Sequence, residues 1–377
     1  ESFLGLDIGG ANLKCADLSG RTHSLAFPLW QRPTDLAAVL AQLLAPFPHA
    51  RHIAVTMTGE LADCFSDVAQ GVRHIVEHTD QAIRTQRPNA RPAFFYSLDG
   101  SFVSARQANQ HPDPLAASNW HALATVVASA IDRPTLLIDI GSTTTDLTAL
   151  DPGNLRTRSR ADFDRLQTGE LVYVGVERTP LCALVDTLPV DGKNVPVMKE
   201  LFATTDDCAL LTGLTRESPF DCQTADGRPR TIVAARGRMA KMVGLDHRSF
   251  SLEQARLAAE ACLRAMVANI ERAAAFVASD IPQWILGGHG GMLLQRWGTL
   301  PITTFALSEI LLPLCDQEGA GLRHPGESIT RNPRRRSLAG EPQPASASAA
   351  DVAISRVAPA FAAAYLLARE TCIASLK

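Results

Sequence analysis

Strand patterns that lead into helical ones along most of the chain, and one strand-to-turn motif that occurs twice, predict an α/β protein of two lobes. The first copy of the motif reads FLGLDIGGANLK at residues 3–14 and the second LLIDIGSTTTDL at residues 136–147. Each is an apolar run that stops at Asp, passes one residue and turns at Gly. With 377 residues, 46% of them hydrophobic, the chain has the length for two domains or one bilobal unit with sizeable cores.

The elements follow in order. Residues 3–8 read as a buried strand, and CADLSG with THSLAFPLW as a hairpin about Ser19-Gly20. TDLAAVLAQLLAPF has helical periodicity, with Thr34 or Asp35 as cap and Pro46 as stop. HIAVTMTG is a strand, LADCFSDVAQGVRHIVEHTDQAIRT a helix, AFFYSLDGSFVS strand-like, and PLAASNWHALATVVASAI a helix that runs to Pro134. A lobe boundary is placed there, between 132 and 133. TLLIDIGSTTTDLTALDPG then gives two strands around a loop, and ELVYVGVERTPLCALV a strand and a turn at Thr179-Pro180. A helical insertion is expected over about 190–280, including the long alanine-rich helix that begins at Leu252. QWILGGHGGMLLQRW reads as strand, glycine loop and helix. Residues 324–350 lose all periodicity and read as a flexible loop in which Arg334, Arg335 and Arg336 are solvated charges. The apolar helix 351–370 is expected to return to the second lobe, with Pro359 kinking it or marking its start.

Composition removes several function classes. A net charge of −3 gives no footprint for nucleic acid or an anionic membrane. No apolar run approaches the roughly 18 residues of a membrane span, and the N-terminus enters a strand pattern without a signal peptide, so a soluble cytoplasmic protein is expected, with homo-oligomerisation open. The eight cysteines have no CxxC spacing and read as reduced thiols. His74 and His78 share a helix face at i, i+4, a spacing that could bind a metal, but a partly exposed helix face is the expected reading.

The duplicated motif carries the chemistry. Glycine at the end of a buried strand lets the backbone approach an anion closely, and successive amides with hydroxyl side chains can wrap phosphate oxygens. Gly9, Gly10 and Asn12 supply this in the first copy, and Gly141, Ser142, Thr143, Thr144 and Thr145 in the second. A carboxylate beside phosphate needs a cation between them, and Mg²⁺ prefers carboxylate, phosphate and water oxygens. Asp7 and Asp139 are therefore assigned as metal-facing acids, with Asp146 as a further metal candidate and Lys14 neutralising phosphate. Gly287, Gly288 and Gly290 form a third loop that opens a helix. It is neither a GxGxxG fingerprint nor a GxxxxGK[ST] loop, which excludes Rossmann and P-loop readings. A single DxG turn would be an ordinary hairpin end; two copies and a glycine loop are more specific.

This order of loops resembles the acetate and sugar kinase/Hsp70/actin superfamily, which implies two ribonuclease-H-like lobes with a ligand cleft. The segments LDIGGANLK, TMTGELADCF, ASNWHALA, LIDIGSTTTDL, TGELVYVGVERTP, VPVMKELFATTDD and TADGRP are, more narrowly, similar to the hydantoinase/oxoprolinase-related proteins linked to tetrahydromethanopterin C1 transfer, whose archaeal members are methanofuran-biosynthesis synthases. The third loop departs from the pattern in carrying Gly291-Met292 where an acid is expected.

The resemblance implies small-molecule substrates: a furanylmethyl diphosphate, here 5-(aminomethyl)furan-3-yl methyl diphosphate, and the phenol of a tyrosine, tyramine or glutamyl-tyramine unit. An ether forms and pyrophosphate leaves. The phenol needs a base or acceptor, and TGEL occurs twice, so Glu60 and Glu170 are both candidates. Asn119 and Trp120 are assigned to the acceptor site and Lys199 to a diphosphate or glutamyl carboxylate, with Asp206, Asp207 and Asp226 as weaker metal or substrate candidates. The rival readings are an ATP-dependent small-molecule kinase and a non-catalytic actin-like nucleotide sensor on the same fold.

Overall fold

The computed structural model describes residues 2–86, 91–157, 159–301, 303–315 and 349–375. The chain divides into two compact units, and neither is one stretch of sequence. One holds Glu1–Leu137, Thr148–Arg165 and Phe305–Lys377, and the other Ile138–Leu147 and Leu166–Thr304. The expected 324–350 loop falls, up to residue 348, outside the described residues.

The first unit is built on β1 (Phe3–Ile8), β2 (Asn12–Asp17), β3 (Thr22–Ala26), β4 (His52–Met57), β5 (Phe94–Tyr96) and β6 (Phe102–Ser104). They form one sheet in the order β3-β2-β1-β4-β5-β6. Every residue of β1 and β4 is buried, as continuous apolar runs in central strands require. β1 and β4 are parallel, while β1, β2 and β3 form antiparallel hairpins whose register sets Asp7 opposite Lys14. Helices Leu36–Leu44 and Val68–Gln86 pack together, and Leu40, Ile75, Ile53 and Leu6 share one core. The helix expected from residue 61 starts at Val68, because Asp67 and Gln70 cap it: the Gln70 amide donates to Asp67 Oδ1 at 2.7 Å, and the Ser66 amide to Gln70 Oε1 at 2.6 Å.

The C-terminal helix Ala358–Ser375 corrects one expectation. It packs on β1, β2, β4 and helix Asn119–Ala130 of the first unit, not on the second lobe. The reason is steric. A Cβ on Gly5 would run into the main chain at Ala360, so only glycine in β1 lets this alanine-rich helix seat there. Pro359 stands at the helix start, where its missing amide costs nothing.

The second sheet runs β10-β8-β7-β13-β14, from β7 (Thr135–Ile140), β8 (Thr145–Asp151), β10 (Leu171–Val172), β13 (Gln283–Gly288) and β14 (Thr303–Ala306), with β9 (Asn154–Leu155) on β8. The expected helical insertion begins instead with a hairpin of β11 (Thr187–Val190) and β12 (Lys193–Pro196), turned by Asp191 at φ 50° and Gly192 at φ 74°. The long helix Leu252–Ala278 has a full capping box of Ser251 and Gln254, and helix Thr205–Leu211 packs on it. The two main sheets with their helices make a mixed α/β architecture.

Candidate diphosphate turns and an acidic pocket

In the first unit, Asp7 is 4% exposed near the end of β1, and Lys14 Nζ lies 3.9 Å from its Oδ2. β1 stops at Ile8, whose carbonyl accepts the amides of Thr58 and Gly59, each at 3.0 Å. This ties the β1–β2 turn to the end of β4. The Gly9 amide donates to the Asn12 carbonyl at 3.1 Å, so Asn12 closes the turn with its main chain, and a Cβ on Gly10 would stand in open space.

Glu60 follows directly and is 1% exposed. Its Oε1 accepts the Ala117 amide at 2.9 Å, while Oε2 is buried without a hydrogen-bond partner. Ala117 adopts φ 47°, a conformation uncommon for a side-chain-bearing residue and one that collects at functional sites. Helix Val68–Gln86 meets the Glu60 backbone at Gly71, where a Cβ would collide with it. Burial pushes the Glu60 carboxyl up to about 7; the Ala117 amide opposes the rise, and the charges of Asp162 and Asp7 add to it. The carboxyl thus exchanges protons near neutrality, which suits a general base.

Glu60 lines a cavity of about 800 Å³ formed entirely by the first unit. Leu61, Val68, Leu98, Ala117 and Phe163 supply its apolar walls. Asp99, Asp113, Asp162 and Arg160 also line it. Nearby, Tyr96 Oη lies 2.9 Å from His121 Nδ1, and burial with the charges of Arg160 and Arg165 lowers that imidazole to about 4, so it is neutral at physiological pH.

In the second unit three loops meet at the β7–β8 turn. The Gly141 amide donates to the Thr144 carbonyl at 2.8 Å. The Ser142 carbonyl accepts from Glu177 and Arg178, each at 3.0 Å, and a Cβ on Gly175 would strike Ser142 and Thr143. From the other side the Gly290 amide donates to the Ile140 carbonyl at 3.1 Å. Gly288 holds φ 78° and passes so close to Asp139 that a Cβ would stand 2.5 Å from its Oδ1. The glycine loop and residues 175–178 are joined again by His289 Nδ1 and Glu177 Oε1, 3.1 Å apart. Thr145, grouped with the phosphate ligands from sequence, is fully buried and donates its hydroxyl to the Val174 carbonyl at 2.8 Å.

The remaining candidates are more scattered. Asp146 pairs across from Leu171, beside Glu170, whose Oε2 accepts the Thr168 hydroxyl at 3.0 Å. Asn119 Oδ1 takes the Trp120 amide, and the Trp120 ring is a core element, 3% exposed with the Arg165 guanidinium 3.9 Å from its centroid. Lys199 forms an exposed ion pair with Asp186 at 2.7 Å. Arg230 takes Asp206, and the fully buried Arg238 takes both Asp207 and Asp226, so these three acids build a structural network. His74 stacks on His78 at 3.8 Å, and its Nε2 lies 2.9 Å from the Pro33 carbonyl. Sequence reasoning missed Gly71, Gly175, Asp162 and Glu177; a glycine inside the helical pattern at 71 was the one legible sign, since it commonly marks a close approach.

The hydantoinase/oxoprolinase family model matches residues 51–299. The chain belongs to the hydantoinase/oxoprolinase family. Glu60, Asp139, Glu170 and the glycine loop fall within that match, while the Asp7 turn precedes it. A relative from Methanocaldococcus jannaschii, (4-{4-[2-(gamma-L-glutamylamino)ethyl]phenoxymethyl}furan-2-yl)methanamine synthase, is 31% identical over 65% of this chain and 72% of its own. The synthase of the same name from Methanococcus vannielii is 33% identical over 34% of this chain and 57% of its own. Among solved structures, the activator of the 2-hydroxyisocaproyl-CoA dehydratase from Clostridium difficile with bound ADPNP aligns over 99% of this family member at 10% identity and a TM-score of 0.43. Among the described residues no helix is long and apolar enough to cross a membrane.

Proposed function

We propose that this chain is a methanofuran-biosynthesis transferase that condenses a furanylmethyl diphosphate with a phenol and releases pyrophosphate. The observation that carries the reading is Glu60, a buried carboxyl poised near neutral pH that lines a pocket with apolar walls, in a chain 31% identical over 65% of its length to a named phenoxymethyl-furanyl methanamine synthase. The phenolic oxygen attacks the CH2 carbon, the C–O bond to diphosphate breaks with its electron pair leaving on the diphosphate, and the phenol proton passes to a Glu60 oxygen. The apolar walls keep water from the same carbon. Lys14 offsets the charge that develops on the leaving group.

Among the described residues no group of three or more His, Cys, Asp or Glu could hold a metal. That donor set does not fit a protein-only cage; a single carboxylate, Asp7 in the first unit or Asp139 in the second, fits Mg²⁺, which keeps waters and takes phosphate oxygens. Bound there, the ion would supply charge neutralisation for diphosphate. The test is to supply the furanylmethyl diphosphate, Mg²⁺ and a phenol and to look for the ether by mass spectrometry. No ether with tyrosine, tyramine or glutamyl-tyramine removes the reading.

A further inference from the structure

The third glycine loop has one side chain by which it can be fastened. Between Leu286 and Met292 the chain reads Gly-Gly-His-Gly-Gly, and glycine loses more backbone freedom on ordering than any other residue while bringing no side chain to hold it. His289 takes that part. Its Nδ1 lies 3.1 Å from Glu177 Oε1, a contact that needs a hydrogen on Nδ1 and is served by the δ-protonated neutral ring as well as by imidazolium. Glu177 stands on a firm footing. The Val176 amide donates to the Gly141 carbonyl at 3.1 Å, and the Asp206 amide to the Glu177 carbonyl at 3.3 Å. The Gly175 carbonyl accepts the Thr205 hydroxyl at 2.7 Å, and the Gly175 amide donates to the Thr179 hydroxyl oxygen at 2.8 Å. Asp206 is in turn held by Arg230. Residues 175–179 are thus pinned to the β7–β8 turn and to the start of helix Thr205–Leu211.

The loop needs that anchor because of where it passes. Gly288 lies against Asp139 Oδ1, and a Cβ on Gly290 would strike both the Ile140 side chain and Val176 Cγ1. The loop therefore touches the carboxylate on one side and the 175–179 bracket on the other, and in close-packed surroundings a shift of its main chain moves the wall against which Asp139 rests. We infer that Glu177 and His289 form a side-chain latch that clamps the glycine loop on the β7–β8 turn and, as positioning residues, fixes the Asp139 carboxylate. All of these residues belong to the second unit. The acid that the loop lacks at Gly291-Met292 is met beside it by Glu177, from a segment far away in sequence. The inference rests on the proposed function only in taking Asp139 as an acid that faces Mg²⁺.

The test is amide hydrogen exchange by mass spectrometry on the full chain without ligand, read at the peptide that holds Gly290. Glu177→Ala and His289→Ala are each expected to speed exchange there about tenfold, and the double variant no more than either single one. His289→Asn keeps an N–H donor near the place of Nδ1 and is expected to exchange at close to the native rate. Exchange in helix Leu252–Ala278 is expected to stay as it is, which a general loosening of the fold would not allow. Mn²⁺ titrated in the presence of pyrophosphate, followed by electron paramagnetic resonance, reads the carboxylate. Each Ala variant is expected to weaken its binding about tenfold, and Asp139→Asn more. Unaltered exchange at Gly290 in both single variants, or effects that add in the double one, overturns the inference. So does native Mn²⁺ affinity in both Ala variants while Asp139→Asn loses it. If Asp139→Asn binds Mn²⁺ as the native chain does, the metal assignment of the proposed function fails instead, and exchange alone decides the latch.

Discussion

The Ala117 amide donates to Glu60 Oε1 at 2.9 Å, from a residue at φ 47°. One carboxylate oxygen is thereby fixed by the main chain while the other is buried without a hydrogen-bond partner. Glu60→Gln keeps an acceptor for that amide and removes the base. Turnover is expected to fall about 10²- to 10⁴-fold, with an unchanged circular dichroism spectrum. Retained turnover would transfer the role of base to another group, with Glu170 next in line.

The same carboxyl sets a pH dependence of rate. A base must be unprotonated, so kcat/KM is expected to rise with pH through the value near 7 to which burial pushes Glu60. A profile flat from about pH 5 to about pH 8 would contradict the assignment.

Stability moves in the opposite sense. The folded carboxyl titrates near 7 and the unfolded one near 4.5, so folding favours the protonated form. Its stabilising contribution is complete below the unfolded value and is lost as pH rises through the folded one, a change of roughly 3 kcal/mol in all. Thermal melts should therefore show Glu60→Gln gaining on the native chain as pH rises from about 5 to about 8.

Gly71→Ala tests the packing that holds Glu60. The new methyl group would meet the Glu60 main chain, so helix Val68–Gln86 must shift. Destabilisation of about 1–3 kcal/mol in urea melts is expected, together with a loss of turnover larger than the loss of fold explains. An unaltered melt and unaltered kinetics would show that the contact gives way freely.

In the second unit Asp139→Asn should abolish Mg²⁺-dependent turnover while the protein stays folded. Its Oδ1 lies against Gly288, and the amide side chain fills nearly the same space. Unchanged activity across a magnesium titration would remove this carboxylate from the mechanism.

Much of the scaffold was legible because strand runs and glycine turns leave local patterns. β1, β4 and β7 are mostly apolar runs, and the two Asp-x-Gly turns stand at the ends of β1 and β7. The hairpin β11–β12 was written in Asp191-Gly192, a strong turn signal that helical surroundings masked. The docking of the C-terminal helix was not legible, since an alanine-rich helix carries no address; the address lies at Gly5, far away in sequence. For the site, Glu60 and Glu170 looked alike as TGEL, and both are buried; what separates them is tertiary, Glu60 taking the Ala117 amide and lining the cavity while Glu170 takes the Thr168 hydroxyl. Lys199 and the acids 206, 207 and 226 looked available because their partners, Asp186, Arg230 and Arg238, are not sequence neighbours at contact spacing. The acids that line the pocket, Glu60, Asp99, Asp113 and Asp162, come from separate segments and have no pattern in any one of them.

On the proposed reading the Asp7 turn holds a departing diphosphate, not the tail of ATP. One reaction decides it: the chain with furanylmethyl diphosphate, Mg²⁺, tyramine or γ-glutamyl-tyramine, and ATP together, followed for ether, pyrophosphate and ADP. Ether and pyrophosphate are expected in equal amounts, with ATP untouched. ADP accumulating from ATP with no ether formed would contradict it and return the fold to the kinases.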